Sequence, residues 1–380
     1  MQKTAIIITL LLNCLFSAKV NSQSPQPLPV RGFCIAAPTH SGMVPFLKYI
    51  VNEVAPAGVN TLILRIDYNF EFTSHPELQH PDVFRKADAK ILYDTCSRMG
   101  IKIIPLINLF GHQSWASKIG KLLEVYPQFD ETPDIKLPEK YEWPNPDSLY
   151  CKSYCPLHPD LHKVLFDLID EVMDAFHADA FHAGMDEVIY IGHKDCRRCH
   201  RKDRVQLFAD EVKRIHDHVT DRNARMWMWG DRLLDGHTTG IGFWEASYNG
   251  TDPAIDRIPK DIVICDWHYD RPEPTAPYFA LKGFDVVSCT WKKSDVGLKQ
   301  LDYIRKMRRD SSYPITVHLL GVVQTVWTQT NIFLSELNHP TVPLNPNHLQ
   351  IGTGLNKPAA TDETEQAAFK KVASEWLKEK

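Results

Sequence analysis

The sequence predicts an α/β fold, a (β/α)8 TIM barrel built as a single domain, on three observations. Eight short apolar runs recur along the chain, each bounded by Gly, Pro or charged residues, as parallel strands buried on both faces should be. Segments of helical period lie between them, and strand–helix alternation implies a parallel sheet with right-handed crossovers. The first run is followed by Ala36-Ala37-Pro38-Thr39, not by the Gly-rich phosphate turn of an open dinucleotide-binding sheet. Eight strands therefore favour closure into a barrel.

In order, strands are expected at Gly32–Ala37, Thr61–Asp67, Lys102–Ile107, Ala178–Gly184, Arg225–Trp229, Asp261–Trp267, Phe284–Thr290 and Leu320–Trp327. Helices are expected at Val44–Val54, Asp88–Met99, His162–Phe176, Gln206–Thr220 and Val296–Met307, with weaker candidates at Pro253–Ile258 and Ala276–Lys282. In the third, Leu161, Leu165, Leu168, Ile169 and Val172 make one apolar stripe with Asp and Lys opposite, the pattern of a helix packed on one side. Asp362–Lys380 is expected to be a surface helix.

Ahead of the barrel, Lys3, the apolar run from Ala5 to Phe16 and the small residues around Val20-Asn21-Ser22 read as an export signal. The expected division is 1–22 signal peptide, 23–30 short lead, and 31–380 barrel with its C-terminal helix. The run is too short to span a bilayer, so no stable membrane insertion is expected. Lipid attachment at Cys14 is disfavoured, because Asn13 stands where a small residue is needed. The expected destination is periplasmic or extracellular. The net charge of −4 is mild, and Lys and Arg form no basic stripe, which argues against a nucleic-acid partner.

The active site of such a barrel lies at the carboxyl ends of its strands. Those ends carry Thr39 and His40, Asp67 and Glu71, Asn108 with His112, Asp186-Glu187, Trp229 and Asp231, Trp267-His268-Tyr269, Trp291 and Trp327. Carboxylates beside aromatic platforms suit carbohydrates. A carboxylic acid can protonate a poor leaving group, and flat rings can stack on the apolar faces of sugars. Adjacent Asp186 and Glu187 can point to different sides and take different roles. The bland alternatives are a surface acidic pair, tryptophans that only pack the barrel end, and a structural histidine at His112.

Here the chain resembles a known family. His182-Ala183-Gly184-Met185-Asp186-Glu187 resembles the His-x-Gly-Gly-Asp-Glu signature of glycoside hydrolase family 20, the β-N-acetylhexosaminidases. Arg31-Gly32-Phe33, Ile104-Pro105-Leu106-Ile107-Asn108 with Gly111-His112, and Leu320-Gly321 through Trp327-Thr328 resemble its first, third and last strands, in order. The resemblance implies an exo-acting glycosidase that removes terminal β-linked N-acetylhexosamine with retention. Its mechanism would be substrate-assisted: the substrate's own acetamido oxygen attacks the anomeric carbon, and no catalytic cofactor is needed. Glu187 would be the acid and base, and Asp186 would orient the acetamido group. Arg31 and Asp231 would bind sugar hydroxyls, and His112 and Asp67 would support the acid. Trp229, Trp267 and Trp327 would wall the acetamido pocket, with Tyr269 donating to the acetamido oxygen. Departures from the pattern are Met185 for the second Gly, Asn108 for an acidic residue, and Tyr269 directly beside Asp270. Two other readings stay open: a carbohydrate-binding barrel without activity, and a conventional two-carboxylate glycosidase pairing Glu187 with Asp231 or Glu245.

Four cysteines stand on loops flanking the fourth strand, in the pairs Cys151/Cys155 and Cys196/Cys199. They predict either loop-stapling disulfides or a structural Zn2+ held by four thiolates, with His200 or His158 as substitutes. Cys34, Cys96, Cys265 and Cys289 fall inside strands and a helix and read as buried free thiols.

Overall fold

The computed structural model describes residues 27–142, 145, 149–335 and 363–378. The expected signal peptide, with Cys14, lies outside the described residues. Eight parallel strands close into a barrel in chain order: β1 (Val30–Ala36), β2 (Thr61–Arg65), β3 (Lys102–Leu109), β4 (Ala180–Gly184), β5 (Arg225–Trp229), β6 (Val263–Trp267), β7 (Asp285–Thr290) and β8 (Leu319–Thr325). β8 pairs with β1, Val30 opposite Gly321 and Cys34 opposite Thr325, which seals the sheet. All eight expected strands form, with no end moved by more than two residues.

The outer layer contains α1 (Met43–Tyr49), α2 (Lys86–Arg98), α3 (Leu161–Ala175), α4 (Arg204–Asp221), α5 (Ala276–Leu281), α6 (Ser294–Asp310) and α7 (Glu365–Trp376). The stripe on α3 is wholly buried, as its period requires. α4 starts where the Asp203 carboxylate accepts the Val205 backbone N–H at 2.9 Å, satisfying one of the helix's unpaired donors. Two expected helices differ. α1 stops at Tyr49 and continues to Val54 as a π-helical turn, and the segment near Pro253 is a 3-10 turn, Asp252–Asp256. Pro253 fits there because the first turn of a helix uses no backbone N–H from that position.

Two apolar cores result. One fills the space between strands and helices, and the other fills the barrel, where Cys34, Cys265 and Cys289 pack with Ile63, Trp227 and Val323. These three cysteines are buried free thiols, as is Cys96 on α2. α7 closes the outer layer over β1, with Phe369 4.6 Å from Phe33. No helix among the described residues is long and apolar enough to cross a membrane.

Candidate active site

Residues leaving the C-terminal ends of β1, β2, β3, β4, β6, β7 and β8 enclose a cavity of about 560 Å³. Asp186 and Glu187 face it from the β4 end, and Trp267, Tyr269, Trp291 and Trp327 face it from β6 to β8. Backbone strain concentrates here. Asp67, His112, Met185 and Glu187 have φ of 46°, 55°, 71° and 49°, a left-handed conformation costing roughly 1–3 kcal/mol per non-glycine residue. Two glycines permit the crossing of the β3 and β4 loops. A Cβ on Gly184, itself at φ 71°, would sit 2.1 Å from Asn108 Oδ1, and one on Gly111 would sit 2.2 Å from the Asp186 carbonyl oxygen. Those approaches are closer than any side chain allows.

His112 lies between the acidic pair, its Nε2 2.9 Å from Glu187 Oε2 and 3.2 Å from Asp186 Oδ2. Burial alone would lower the imidazole pKa, but Asp186 and Glu187 outweigh it and hold His112 well above its ordinary value. The two carboxyls then separate. Burial pushes Glu187 up, aided by Asp186 and Asp231, and His112 only partly offsets it. Burial also acts on Asp186, but there the His112 charge and hydrogen bond prevail and hold it below the usual carboxylate range. Burial and His112 thus bias Glu187 towards the protonated form and Asp186 towards the ionised one, the direction that suits acid and base-like roles for two like groups. Asp186 Oδ1 is buried and has no hydrogen-bond partner. The Tyr150 hydroxyl bonds to Glu187 from the β3–α3 loop, and burial followed by that carboxylate keeps the phenol well above its ordinary pKa.

Other residues expected at the site take different places. Asp67 lines the cavity and accepts the Asn108 backbone N–H at 2.8 Å. Tyr269 accepts from Trp327 Nε1 at 3.0 Å, leaving its own hydroxyl proton for an acceptor in the cavity. Trp229 is almost fully buried below the cavity, 5.7 Å from Trp327, and supports that ring instead of walling the pocket. Asp231 is also turned away. Its carboxylate accepts from the Glu187 backbone N–H at 2.9 Å, Trp267 Nε1 at 3.2 Å and Arg232 Nε at 2.6 Å. It positions the acid and one aromatic wall and has no face free for a sugar hydroxyl. Arg31 lies at the opposite end of β1, donating to the carbonyls of Gly58 at 2.7 Å and Leu28 at 2.9 Å. It starts its strand, so it cannot reach groups that follow strand ends.

An arginine does line the cavity: Arg65, which ends β2 and sits 4.6 Å over the Trp327 ring. Its Nε is buried without a partner. Sequence reading missed it, although a charged residue terminating Thr61-Leu62-Ile63-Leu64 was the available signal. Glu245, the other candidate partner for Glu187, accepts from His268 Nδ1 at 2.8 Å and from the Tyr269 backbone N–H at 3.2 Å. Neither Asp231 nor Glu245 lines the cavity, so neither is placed as a second reacting carboxylate.

The four loop cysteines divide. Cys155, Cys196 and Cys199 meet with Glu131, whereas Cys151 stands apart, its Sγ 3.5 Å from the Glu187 carbonyl oxygen. A four-thiolate site is therefore not formed, because Cys151 belongs to the strand-end layer beside His112.

A family model described as glycosyl hydrolase family 20, catalytic domain, matches residues 66–330. The fold is similar to a chitobiase of Flavobacterium johnsoniae (TM-score 0.56, 17% identity, covering 80% of this chain and 45% of that one). It is also similar to a β-N-acetylhexosaminidase of Bacteroides fragilis (0.54, 16%, covering 83% and 64%). A third likeness is an exo-β-N-acetylglucosaminidase of Vibrio harveyi in complex with N-acetylglucosamine (0.55, 16%, covering 80% and 50%). The chain thus spans about half to two thirds of the length of these solved proteins.

Proposed function

The chain belongs to glycosyl hydrolase family 20, and from that premise we propose that it is an exo-acting retaining glycosidase releasing terminal β-linked N-acetylhexosamine from glycans. The observation that carries this reading is the placement of Asp186 and Glu187 around one histidine at the cavity, with their carboxyl pKa values shifted in opposite directions. Glu187 gives its proton to the leaving oxygen as the bond from that oxygen to the anomeric carbon breaks. The acetamido carbonyl oxygen forms the new bond to that carbon, giving a cyclic oxazolinium. Asp186 Oδ1, an acceptor with no partner of its own, takes the acetamido N–H and balances the charge that develops there. Tyr269 donates to the acetamido oxygen, and Trp267, Trp291 and Trp327 exclude water around it. Water then attacks the anomeric carbon, passing a proton to Glu187 and reopening the ring with retained configuration. The substrate supplies the nucleophile, so this chemistry uses no cofactor.

We also propose that residues 1–22 direct export, on the strength of Lys3 and the apolar run that follows. Intact-mass analysis of the exported protein against the full chain reads that out.

The reaction is tested with the 4-nitrophenyl β-glycosides of N-acetylglucosamine and N-acetylgalactosamine, and with the β-glucoside as control. Turnover confined to the acetamido sugars is expected, with the β-anomer formed first by NMR. Glu187→Gln should lower kcat about 10²–10⁴-fold while leaving the circular dichroism unchanged. Equal turnover of the β-glucoside would remove substrate assistance. A folded protein that binds N-acetylglucosamine without turnover would leave a binding barrel.

A further inference from the structure

We propose that Cys155, Cys196, Cys199 and Glu131 form a structural zinc site that ties together the two loops carrying the acid's surroundings. A carboxylate oxygen of Glu131 and the three sulfurs all lie within 4.8 Å of one another, and all four side chains are buried. Cys155 Sγ is 3.2 Å from Cys199 Sγ and 3.4 Å from Cys196 Sγ. Those separations exceed a disulfide bond of about 2.05 Å. They approach the edge of about 3.8 Å that ligands at roughly 2.3 Å make around tetrahedral zinc.

The second observation is the carboxylate. Glu131 Oε2 is buried without a hydrogen-bond partner, while Oε1 accepts the His193 backbone N–H at 2.9 Å. A buried carboxylate oxygen needs a cation or donor, and one orienting hydrogen bond on the other oxygen is how ligating carboxylates are held. A Cys155–Cys199 disulfide would leave Cys196 an unpaired thiol and would bring no cation to this carboxylate. The C-x2-C turn adds a further feature, with the Cys199 N–H donating to Cys196 Sγ at 3.3 Å. Three thiolates and a carboxylate in a closed, buried set suit zinc, which accepts soft and oxygen ligands in tetrahedral geometry without redox chemistry.

The placement gives the site its consequence. Glu131 and Cys155 belong to the β3–α3 loop that also carries His112 and Tyr150, and Cys196 and Cys199 belong to the β4–α4 loop that carries Glu187 near its start. The cluster bridges both loops behind the acid.

The test uses the full chain purified without chelator, with metal analysis and zinc K-edge absorption. The expected result is about one zinc per chain, with three sulfurs near about 2.3 Å and one lighter ligand near about 2.0 Å. Glu131→Gln, which keeps all three thiols, should lose zinc to a chromogenic chelator at concentrations about 10-fold lower or less. Cys196→Ser should abolish binding if it folds. Zinc-loaded refolding that leaves the protein metal-free, a Cys155–Cys199 disulfide in peptide maps, or a zinc shell without sulfur would overturn the proposal. Unchanged zinc retention in Glu131→Gln would overturn the carboxylate as a ligand.

Discussion

Asp186 and Glu187 differ because His112 is shared but their other contacts are not. Glu187 also faces the charges of Asp186 and Asp231, and its carboxyl is pushed up, while Asp186 is held down. Activity that needs Asp186 ionised and Glu187 protonated therefore has an acid limb below the usual carboxylate value and an alkaline limb above it. Glu187 loses its proton, and with it the acid function, as pH rises through its raised pKa. Replacing His112 with Gln removes the cation that lowers both carboxyls. The acid limb of kcat/KM should then move up by about one pH unit or more, and the alkaline limb should move the same way. An acid limb that stays in place would free Asp186 of dependence on His112. Met185 poses a different residue-scale question. It replaces a glycine of the family signature, and its φ of 71° shows what that glycine is for. Its side chain is fully buried in the outer core and does not enter the cavity. Met185→Gly would relieve strain of about 1 kcal/mol or more and lose packing of about 2–5 kcal/mol. Urea unfolding should show a net loss of about 1–3 kcal/mol, with turnover retained.

At the scale of elements, the site depends on a helix remote in sequence. Glu365, in the first turn of α7, accepts from Trp291 Nε1 and, at 2.9 Å, from the Trp327 backbone N–H. One carboxylate thereby orients two of the rings that line the cavity. Glu365→Ala leaves both donors buried and unpaired, a cost of about 1–3 kcal/mol. The expected kinetic signature is a KM rise of several-fold exceeding the fall in kcat, because wall position changes while Glu187 does not. Unchanged KM would show that the rings hold position without α7. The β3–α3 loop, residues 110–160, makes a comparable contribution, since it supplies His112, Tyr150 and two of the proposed zinc ligands.

For the whole molecule, α7 completes the outer layer where β8 meets β1. Phe369, Val372 and Trp376 are buried on it, with Phe369 against Phe33 and 6.0 Å from Trp376. Burying three such side chains contributes on the order of 5–9 kcal/mol, comparable to the entire stability of a typical domain at about 5–15 kcal/mol. A chain ending at residue 335 should therefore fail to accumulate as folded soluble protein, by circular dichroism and size exclusion. A truncated chain that folds with its native melting transition would show that the barrel closes without this helix.

Much of this architecture is legible in one dimension. Strand and helix positions follow from local periodicity, and the order of His182 to Glu187, Asn108 with His112, and Trp327 along the chain points to the family and to the acidic pair. Arg31, Asp231 and Cys151 show where that legibility stops. Arg31 and Arg65 are both arginines on neighbouring strands, but Arg31 opens its strand and Arg65 ends the next, so only Arg65 reaches the cavity. Asp231 follows a strand as the acidic pair does, but a turn directs it under Glu187 towards Arg232 and Trp267. Cys151 is four residues from Cys155, yet Glu131 takes its place because the loop folds back between them. Periodicity and motif order are properties of neighbouring residues, so the chain states them directly. The direction of a side chain beyond a strand end depends on left-handed turns and loop crossings, which are set only when distant segments pack together.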